Sequence, residues 1–290
     1  LCEQGSPGKG TQEMIGSLLI HEMALKRRAR VAIGCDFASK TSPLLLNSLL
    51  FATRERYVEP LLVADRLPGN DEDPEGVVGK EIPAIISPSP WEDLVQLLKG
   101  GVVDSAVRGN LSSRRVVPEL RVAFGCNNLC RASLLEVDGR LVMLAPVGID
   151  EGETQGDLLN VAAGCSRLAS RLGIPLRVAV ISGGRLEDRG RSSRVDRMLD
   201  ESESLVITLK SKGIEAVNFG VEIERAVDEG STLILAPDGV FGNLIFRSLV
   251  LVGKVQSYGA CATALPKTFI DTSRSKTSYL LPLILASALG

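Results

Sequence analysis

The stretch of sequence that decides the fold runs from residue 102 to residue 115: Val102-Val103-Asp104-Ser105-Ala106-Val107-Arg108-Gly109-Asn110-Leu111-Ser112-Ser113-Arg114-Arg115. Its first part, 102–107, is mostly apolar and predicts a buried strand. The glycine and asparagine that follow mark a loop, and the paired serines predict the first turn of a helix. A strand that leads through a short loop into a helix is the building unit of a parallel α/β sheet.

The same pattern repeats along the chain. Strands are predicted at 30–35, 60–64, 82–87, 176–181, 214–219 and 232–236, and helices at 43–54, 90–99, 154–172, 241–252 and 277–289. Two more apolar runs, 132–137 and 141–147, are separated by Asp138-Gly139, which predicts a hairpin. We therefore predict an α/β protein with a flexible leader at 1–28, a first α/β domain at 29–147 plus 265–290, and a second α/β domain at 148–264.

Composition excludes several classes of function. The 290 residues are 44% hydrophobic and carry a formal net charge of −2, so the chain lacks the basic balance of a general nucleic-acid binder. No apolar run reaches the roughly 18–20 residues of a membrane span, and no secretion signal is evident. We therefore expect a cytoplasmic protein without nucleic-acid or membrane partners. The single histidine, His21, excludes a histidine-based triad and a multi-histidine metal site, and no metal is predicted.

The loop after residue 107 is a candidate anion site. Gly109, followed by Asn110, lets a ligand approach the backbone. Ser112 or Ser113 can cap the helix while the helix amides face an anion. An ordinary capped helix explains the same residues, so both interpretations stay open. The cations of this loop, which could add charge-assisted hydrogen bonds, are Arg108, Arg114 and Arg115.

Two later loops are further candidates for binding a ligand. Asp238, Gly242 and Asn243 follow the predicted strand 232–236 and open a helix, where glycines permit close contact between backbone and ligand. A turn that needs no ligand is the alternative. The stretch Asp271-Thr272-Ser273-Arg274 precedes the last helix and offers hydroxyl groups and a cation to an oxyanion. The alternative there is a helix cap with an unrelated charge.

The order of these three motifs resembles that of the phosphate acetyl/butyryltransferase superfamily. The resemblance covers residues from about 30 to 289 and includes a helix ending at Leu172-Gly173 and the strand after it. Within the superfamily, the chain looks closest to the archaeal methanogenesis marker protein 4 group, which is also labelled methyltransferase subunit X. The resemblance implies the fold of isocitrate and isopropylmalate dehydrogenases, with two α/β domains and a site in the interdomain cleft.

The resemblance also implies roles for single residues. Acyl transferases of this type move an acyl group between coenzyme A and phosphate. Ser273 and Arg274 would be catalytic and hold the phosphate or acyl phosphate, while Arg108, Ser112 and Ser113 would line the opposing wall. We therefore expect a small anionic ligand, coenzyme A or another phosphorylated molecule, and no covalently bound cofactor. Because relatives of this fold are often dimers, a homodimer is one expectation.

One departure from the acetyltransferases bears on catalysis. In those enzymes an aspartate proposed to activate the coenzyme A thiol follows the Ser-Arg pair, whereas Leu280 and its neighbours at 277–281 include no acid. A thiol with a pKa of about 8.5 needs help to ionise at neutral pH. Three hypotheses therefore stand: a transferase of the acyl or phosphate type, a non-catalytic binding or assembly protein that retains the fold, and a methyltransferase subunit.

The six cysteines do not form a pattern typical of a metal site. Cys126 and Cys130 are four positions apart, which is not the C-x₂-C spacing of structural zinc. Six widely spaced cysteines are also too few for a disulfide scaffold in a chain of this length. We interpret the thiols as buried structural groups in a reduced protein.

Overall fold

The computed structural model describes residues 15–273 and 278–290. Within them, eleven strands form one mixed sheet in the order β3-β2-β1-β4-β11-β10-β5-β6-β9-β7-β8. The strands are β1 (Arg30–Cys35), β2 (Glu59–Ala64), β3 (Ala84–Ile86), β4 (Ser105–Val107), β5 (Arg131–Val137), β6 (Arg140–Ala145), β7 (Val178–Ile181), β8 (Ala216–Gly220), β9 (Leu233–Leu235), β10 (Gln256–Ala262) and β11 (Thr268–Asp271).

Helices connect most of these strands. They are α1 (Ile15–Arg27), α2 (Ser42–Arg54), α3 (Pro90–Lys99), α4 (Ser113–Phe124), α5 (Gln155–Leu172), α6 (Ser193–Ser211), α7 (Ile223–Asp228), α8 (Gly239–Phe246) and α9 (Leu280–Leu289). The helix predicted at 241–252 is α-helical only in its first part, because α8 continues as a π-helical segment, Arg247–Val252. Among the described residues, no helix is long and apolar enough to cross a membrane.

The sheet has two parallel halves that run in opposite directions. Strands β2, β1, β4 and β11 are mutually parallel, and so are β6, β9, β7 and β8. Antiparallel pairing of β11 with β10, β10 with β5, and β5 with β6 joins the two halves. The α/β class predicted from the alternating pattern is therefore confirmed.

Strand register brings the carboxyl ends of both halves to the middle of the sheet. Asp271, the last residue of β11, pairs with Ala260, which pairs with Ser133, which in turn pairs with Leu144 near the end of β6. Loops that follow strands of either half therefore meet at one level. In α/β sheets ligands bind outside the carboxyl ends of strands, so this level is where a site is expected.

The prediction of a flexible leader at 1–28 is wrong for residues 15–27. Residues 15–27 form α1, which packs against α9 and buries Ile20 and Ala24 completely. Helix α9 is itself buried between α1, α2 and the sheet, because nearly all of its side chains are apolar. Burial of this apolar surface against the C-terminal helix is what orders α1. Residues 1–14 lie outside the described residues, and the division into two domains stays a prediction.

Candidate functional site

A cavity of about 350 Å³ opens where the strand ends of the two halves meet; we call it the central pocket. Its walls come from the loops after β4, β6 and β11, from the starts of β5 and α4, from β10, and from α8 with its π-helical continuation. The residues that line it are Arg108, Ser113, Arg131, Val147, Gly148, Ile149, Asn243, Phe246, Arg247, Gly259, Ala260, Asp271, Thr272 and Ser273.

The central pocket unites residues from all three predicted loops. Arg108 and Ser113 come from the first loop, Asn243 from the second, and Asp271 and Ser273 from the third. The chain positions of these residues span most of the sequence, so only the opposed sheet halves could place them together. Their ligand-binding and catalytic roles stay predictions, but their predicted proximity is what the structure shows.

Asp271 links two buried arginines beneath the pocket. One carboxylate oxygen accepts a hydrogen bond from Nε of Arg108, and the other accepts one from Nη1 of Arg131 at 3.2 Å. The backbone amide of Thr272 also donates to this carboxylate, at 2.9 Å. Burial alone would raise the pKa of Asp271, but the two guanidinium groups outweigh it, so the pKa lies below its usual value.

Arg131 joins both halves of the sheet through an ion network that the sequence analysis missed. Its Nε donates to the buried Glu151 at 2.8 Å, and its Nη2 donates to Asp150 at 2.6 Å. Asp150 pairs in addition with Arg121 of α4. No local pattern singles out Arg131, because β5 also contains Ser133 and Glu136 and the carboxylate partners of Arg131 are distant in sequence.

Arg247 is the pocket cation that is open to a ligand. It is exposed, lies at the start of the π-helical segment and has no ion pair among the described residues. The other two arginines of the pocket are held by Asp271, and Arg131 also by two further carboxylates. An anion entering the pocket would therefore gain a new charge-assisted contact mainly from Arg247.

The first turn of α4 reaches the pocket wall at Ser113. Ser112 is the N-cap residue, but its side chain makes no capping hydrogen bond. Ser113, the next residue, lines the pocket. The first amides of a helix have no partner within the helix and carry a partial positive charge. The start of α4 therefore combines with Arg247 to favour negative charge.

Gly109 and Asn110 of the first loop hold the backbone together rather than lining the pocket. Gly109 has φ +64°, and a Cβ there would lie 1.8 Å from the carbonyl oxygen of Gly34. The Asn110 side chain is buried, accepts a hydrogen bond from the amide of Asp36 at 2.6 Å and donates to its carbonyl at 3.1 Å. The close approach that Gly109 permits is thus to strand β1, not to a ligand.

The other two arginines of the first loop, Arg114 and Arg115, do not line the central pocket. Arg114 is exposed and does not line the central pocket. The Arg115 guanidinium lies over the Trp91 ring, 4.1 Å from its centre. Such a cation–π contact stabilises the pairing of α4 with α3.

The second loop is also built from internal contacts. The Asp238 carboxylate caps α8 by accepting hydrogen bonds from the amides of Val240 and Phe241 at 2.8 and 2.9 Å. A Cβ on Gly242 would lie 1.8 Å from the carbonyl oxygen of Pro146. The interpretation as a turn that needs no ligand therefore accounts for Asp238 and Gly242. Of the predicted residues in this loop, Asn243 alone reaches the central pocket.

The third loop is described only in part. Arg274 lies outside the described residues, so the structure says nothing of its predicted role. Thr272 is buried and donates a hydrogen bond to the carbonyl oxygen of Gly109 at 2.6 Å, which ties the third loop to the first. Leu280 begins α9 and packs against the core. Among the described lining residues, Asp271 is the sole acid of the pocket.

A second cavity, of about 430 Å³, contains none of the predicted residues. It lies between α5 and α6 beyond the ends of β7 and β9. The charged side chains that line it are all acidic: Glu153, Asp200 and Glu201. Although it is larger than the central pocket, its charge disfavours an anion.

Metal and thiol chemistry find no support in the described residues. No group of three or more metal-binding side chains is present among them. All five described cysteines are free, and burial raises the pKa of Cys130 and Cys261 to about 11. These thiols are therefore protonated at neutral pH and behave as small buried side chains.

The chain is similar in sequence to proteins of methanogens. No family model matches the sequence. The “Putative methyltransferase mtx subunit X” of Methanosarcina barkeri is 38% identical over 269 residues, which cover 92% of this chain and 95% of that protein. The protein of the same name from Methanosarcina acetivorans is 36% identical over 93% of this chain and 94% of its own length.

Among solved structures, a phosphotransacetylase from Streptococcus pyogenes matches with a TM-score of 0.64 and 15% identity, covering 97% of this chain and 98% of that one. At this identity the likeness shows the fold alone. It confirms the phosphate acyltransferase fold that the three motifs predicted.

Proposed function

Because the chain belongs to the methyltransferase mtx subunit X family of methanogens and has the phosphotransacetylase fold, we propose that it binds a small phosphorylated or coenzyme-type anion in the central pocket. The observation that carries this proposal is the convergence of three strand-end loops on one pocket, where Arg247 has no ion pair with any residue that the structure describes. The uncapped start of α4 supports it, since an anion there would meet backbone amides as well as Arg247.

The chemistry proposed for the pocket is positioning and charge stabilisation. Transfer between an anionic donor and acceptor needs fixed donors aimed at developing negative charge, which Arg247, Ser113 and the α4 amides would supply. Asp271 is a poor candidate for a general base, because its two arginine partners lower its pKa and so weaken its affinity for a proton. Activation of a thiol would have to come from another group.

Calorimetric titration tests the binding step. The protein is titrated with coenzyme A and with acetyl phosphate in a buffer that contains no phosphate. We expect Arg247→Met to weaken binding by about tenfold, the magnitude of one charge-assisted contact. The matched control is Arg177→Met, because Arg177 is also exposed and has no ion pair within residues 15–273 and 278–290, but it lies just before β7 and does not line the pocket. Equal affinities for the two variants would contradict the assignment of the pocket.

A turnover assay separates the candidate activities. Acetyl-coenzyme A is mixed with protein and phosphate while thiol release is followed. Binding with thiol release supports acyl transfer, whereas binding without release supports a non-catalytic binding or assembly protein. A titration with a methylated corrinoid or pterin tests whether the protein binds a methyl donor, which methyl transfer, the activity that the names of the relatives suggest, would require. A cytoplasmic location and a homodimer stay predictions.

A further inference from the structure

A third cavity, of about 260 Å³, lies between α5 and the turn that joins β10 to β11; we call it the α5 pocket. Three cations line it: Arg167, Arg171 and Lys267. No carboxylate is among its lining residues, and none of the three cations has an ion pair within the described parts of the chain. We propose that the α5 pocket binds a tetrahedral oxyanion, either free phosphate or the phosphoryl group of a phosphate monoester.

The α5 pocket is separate from the central pocket. The two share no lining residue. The central pocket lies beyond Asp271, the last residue of β11, whereas the α5 pocket lies against the turn that precedes Thr268, its first residue. A strand of this length separates the two ends by about 10 Å, given a rise of roughly 3.3 Å per residue. One phosphate-sized anion therefore cannot occupy both pockets.

One face of α5 lines this pocket. Gly164, Arg167, Leu168 and Arg171 follow a spacing of three, four and seven residues, which places them on one helical face. Gly164 brings that face close to β10, because a Cβ there would lie 2.2 Å from Oγ1 of Thr263. The same face carries Arg167 and Arg171, which line the cavity.

Hydrogen bonds orient the two guanidinium groups. Nη2 of Arg167 donates to the carbonyl oxygen of Thr263 at 3.1 Å. Nη2 of Arg171 donates to Oγ1 of Thr268 at 2.9 Å and to the carbonyl oxygen of Leu289. Each guanidinium carries five N–H donors, so these contacts leave others free to bind an oxyanion. Anchored cations bind with less loss of side-chain freedom than mobile surface cations.

Charge and size define the ligand class. Three cations around one cavity repel one another, and a bound anion removes that repulsion. The cavity is smaller than the roughly 300–1,000 Å³ of pockets that enclose whole small molecules. It therefore suits a phosphate-sized group, with the remainder of a larger ligand outside in solvent.

Equilibrium dialysis with radiolabelled inorganic phosphate tests the proposal. The test variant is Arg167→Met/Lys267→Met, which removes two charges and keeps the aliphatic stems. Arg171 is retained because it binds the carbonyl at the end of α9. The control is Arg177→Met/Lys210→Met, which removes the same two charges from exposed positions outside both pockets. Circular dichroism verifies that both variants are folded.

We expect phosphate bound at the α5 pocket to be lost or weakened by about 100-fold in the test variant, with tenfold for each cation, and to be unchanged in the control. Arg247→Met, which alters the central pocket, should leave this binding intact. Equal phosphate binding by test and control variants, or no phosphate binding outside the central pocket in the native protein, would overturn the proposal. Competition experiments distinguish free phosphate from a phosphate monoester as the ligand. Displacement of labelled phosphate by adenosine monophosphate indicates that the pocket accepts a monoester. Displacement by sulfate but not by adenosine monophosphate indicates that it accepts only a free oxyanion.

Discussion

Asp271→Asn tests whether the ion network beneath the central pocket stabilises the fold. The carboxylate accepts hydrogen bonds from Arg108, Arg131 and the amide of Thr272, and 12% of its side chain is exposed. An asparagine has one acceptor oxygen and no charge, so one arginine loses its acceptor, Arg108 loses its counter-ion and Arg131 loses one of three. Removing one partner of a buried pair costs about 3–5 kcal/mol.

The lower end of that range applies to this substitution. Arg131 keeps Glu151 and Asp150 as partners, so its charge remains compensated after the change. Arg108 keeps one hydrogen bond, to the carbonyl oxygen of Leu111. We therefore expect the free energy of unfolding to fall by about 3 kcal/mol at pH 7, a large share of the roughly 5–15 kcal/mol typical of a domain.

Urea unfolding followed by circular dichroism measures this loss as a function of pH. Asp271 has a lower pKa in the folded protein than in the unfolded chain, so its contribution is complete above the unfolded pKa of about 3.9. It is lost as the pH falls through the folded pKa, because the protonated acid then resembles asparagine. The difference between native protein and variant should therefore narrow below about pH 4.

Asp200→Asn is the control for this prediction. The Asp200 side chain is 64% exposed and pairs with Arg189 on the surface, so its loss should change stability by less than about 1 kcal/mol. A similarly small loss for Asp271→Asn would refute the reasoning. A large loss of unfolding free energy in Asp271→Asn that stays constant down to low pH would show that the loss does not come from the charge of Asp271.

Three further predictions concern packing and reactivity. Gly109→Ala should lower the thermal unfolding temperature far more than Gly125→Ala, because both have positive φ but only the first lacks room for a Cβ; equal shifts would contradict this packing. Asp238→Ala should cost about 1 kcal/mol in urea unfolding, since it removes the cap of α8, and no loss would show that the cap is dispensable. Cys165 and Cys261 should resist iodoacetamide at pH 8 until urea unfolds the protein, because burial raises the pKa of both thiols; mass spectrometry identifies the labelled cysteines, and labelling in the native state would contradict their burial.

Local sequence patterns predict the strand and helix units but not the centre of the sheet. β1 matches its predicted bounds of 30–35, because an apolar run that ends in a glycine loop is a local signal. β10 is not predicted: most of its residues are small or polar, and it is paired on both sides at the centre of the sheet, so its sequence shows no clear alternation. The opposed direction of the two halves follows from β10 and is therefore not predicted either.

Some residues of the candidate site can be predicted from local sequence, and others cannot. Arg108 and Asp271 lie at the carboxyl ends of strands, where polar residues after apolar runs identify them. Arg131 does not stand out, since its partners Glu151 and Asp271 are 20 and 140 positions away and only the folded chain brings them near. Gly109 and Asp238 are identified correctly as special positions, but their partners turn out to be the chain's own backbone.

The place of β11 in the sheet has a consequence for synthesis of the protein. β11 pairs with β4, and Arg108 after β4 contacts Asp271 at the end of β11, although these residues are 163 positions apart. At roughly 5–20 residues per second, the ribosome needs about 8–30 s to make the intervening segment. During that time one edge of β4 has no partner strand and α1 lacks α9, its packing partner. An unpaired strand edge invites association between nascent chains, and the pairing of β11 with β4 removes that edge.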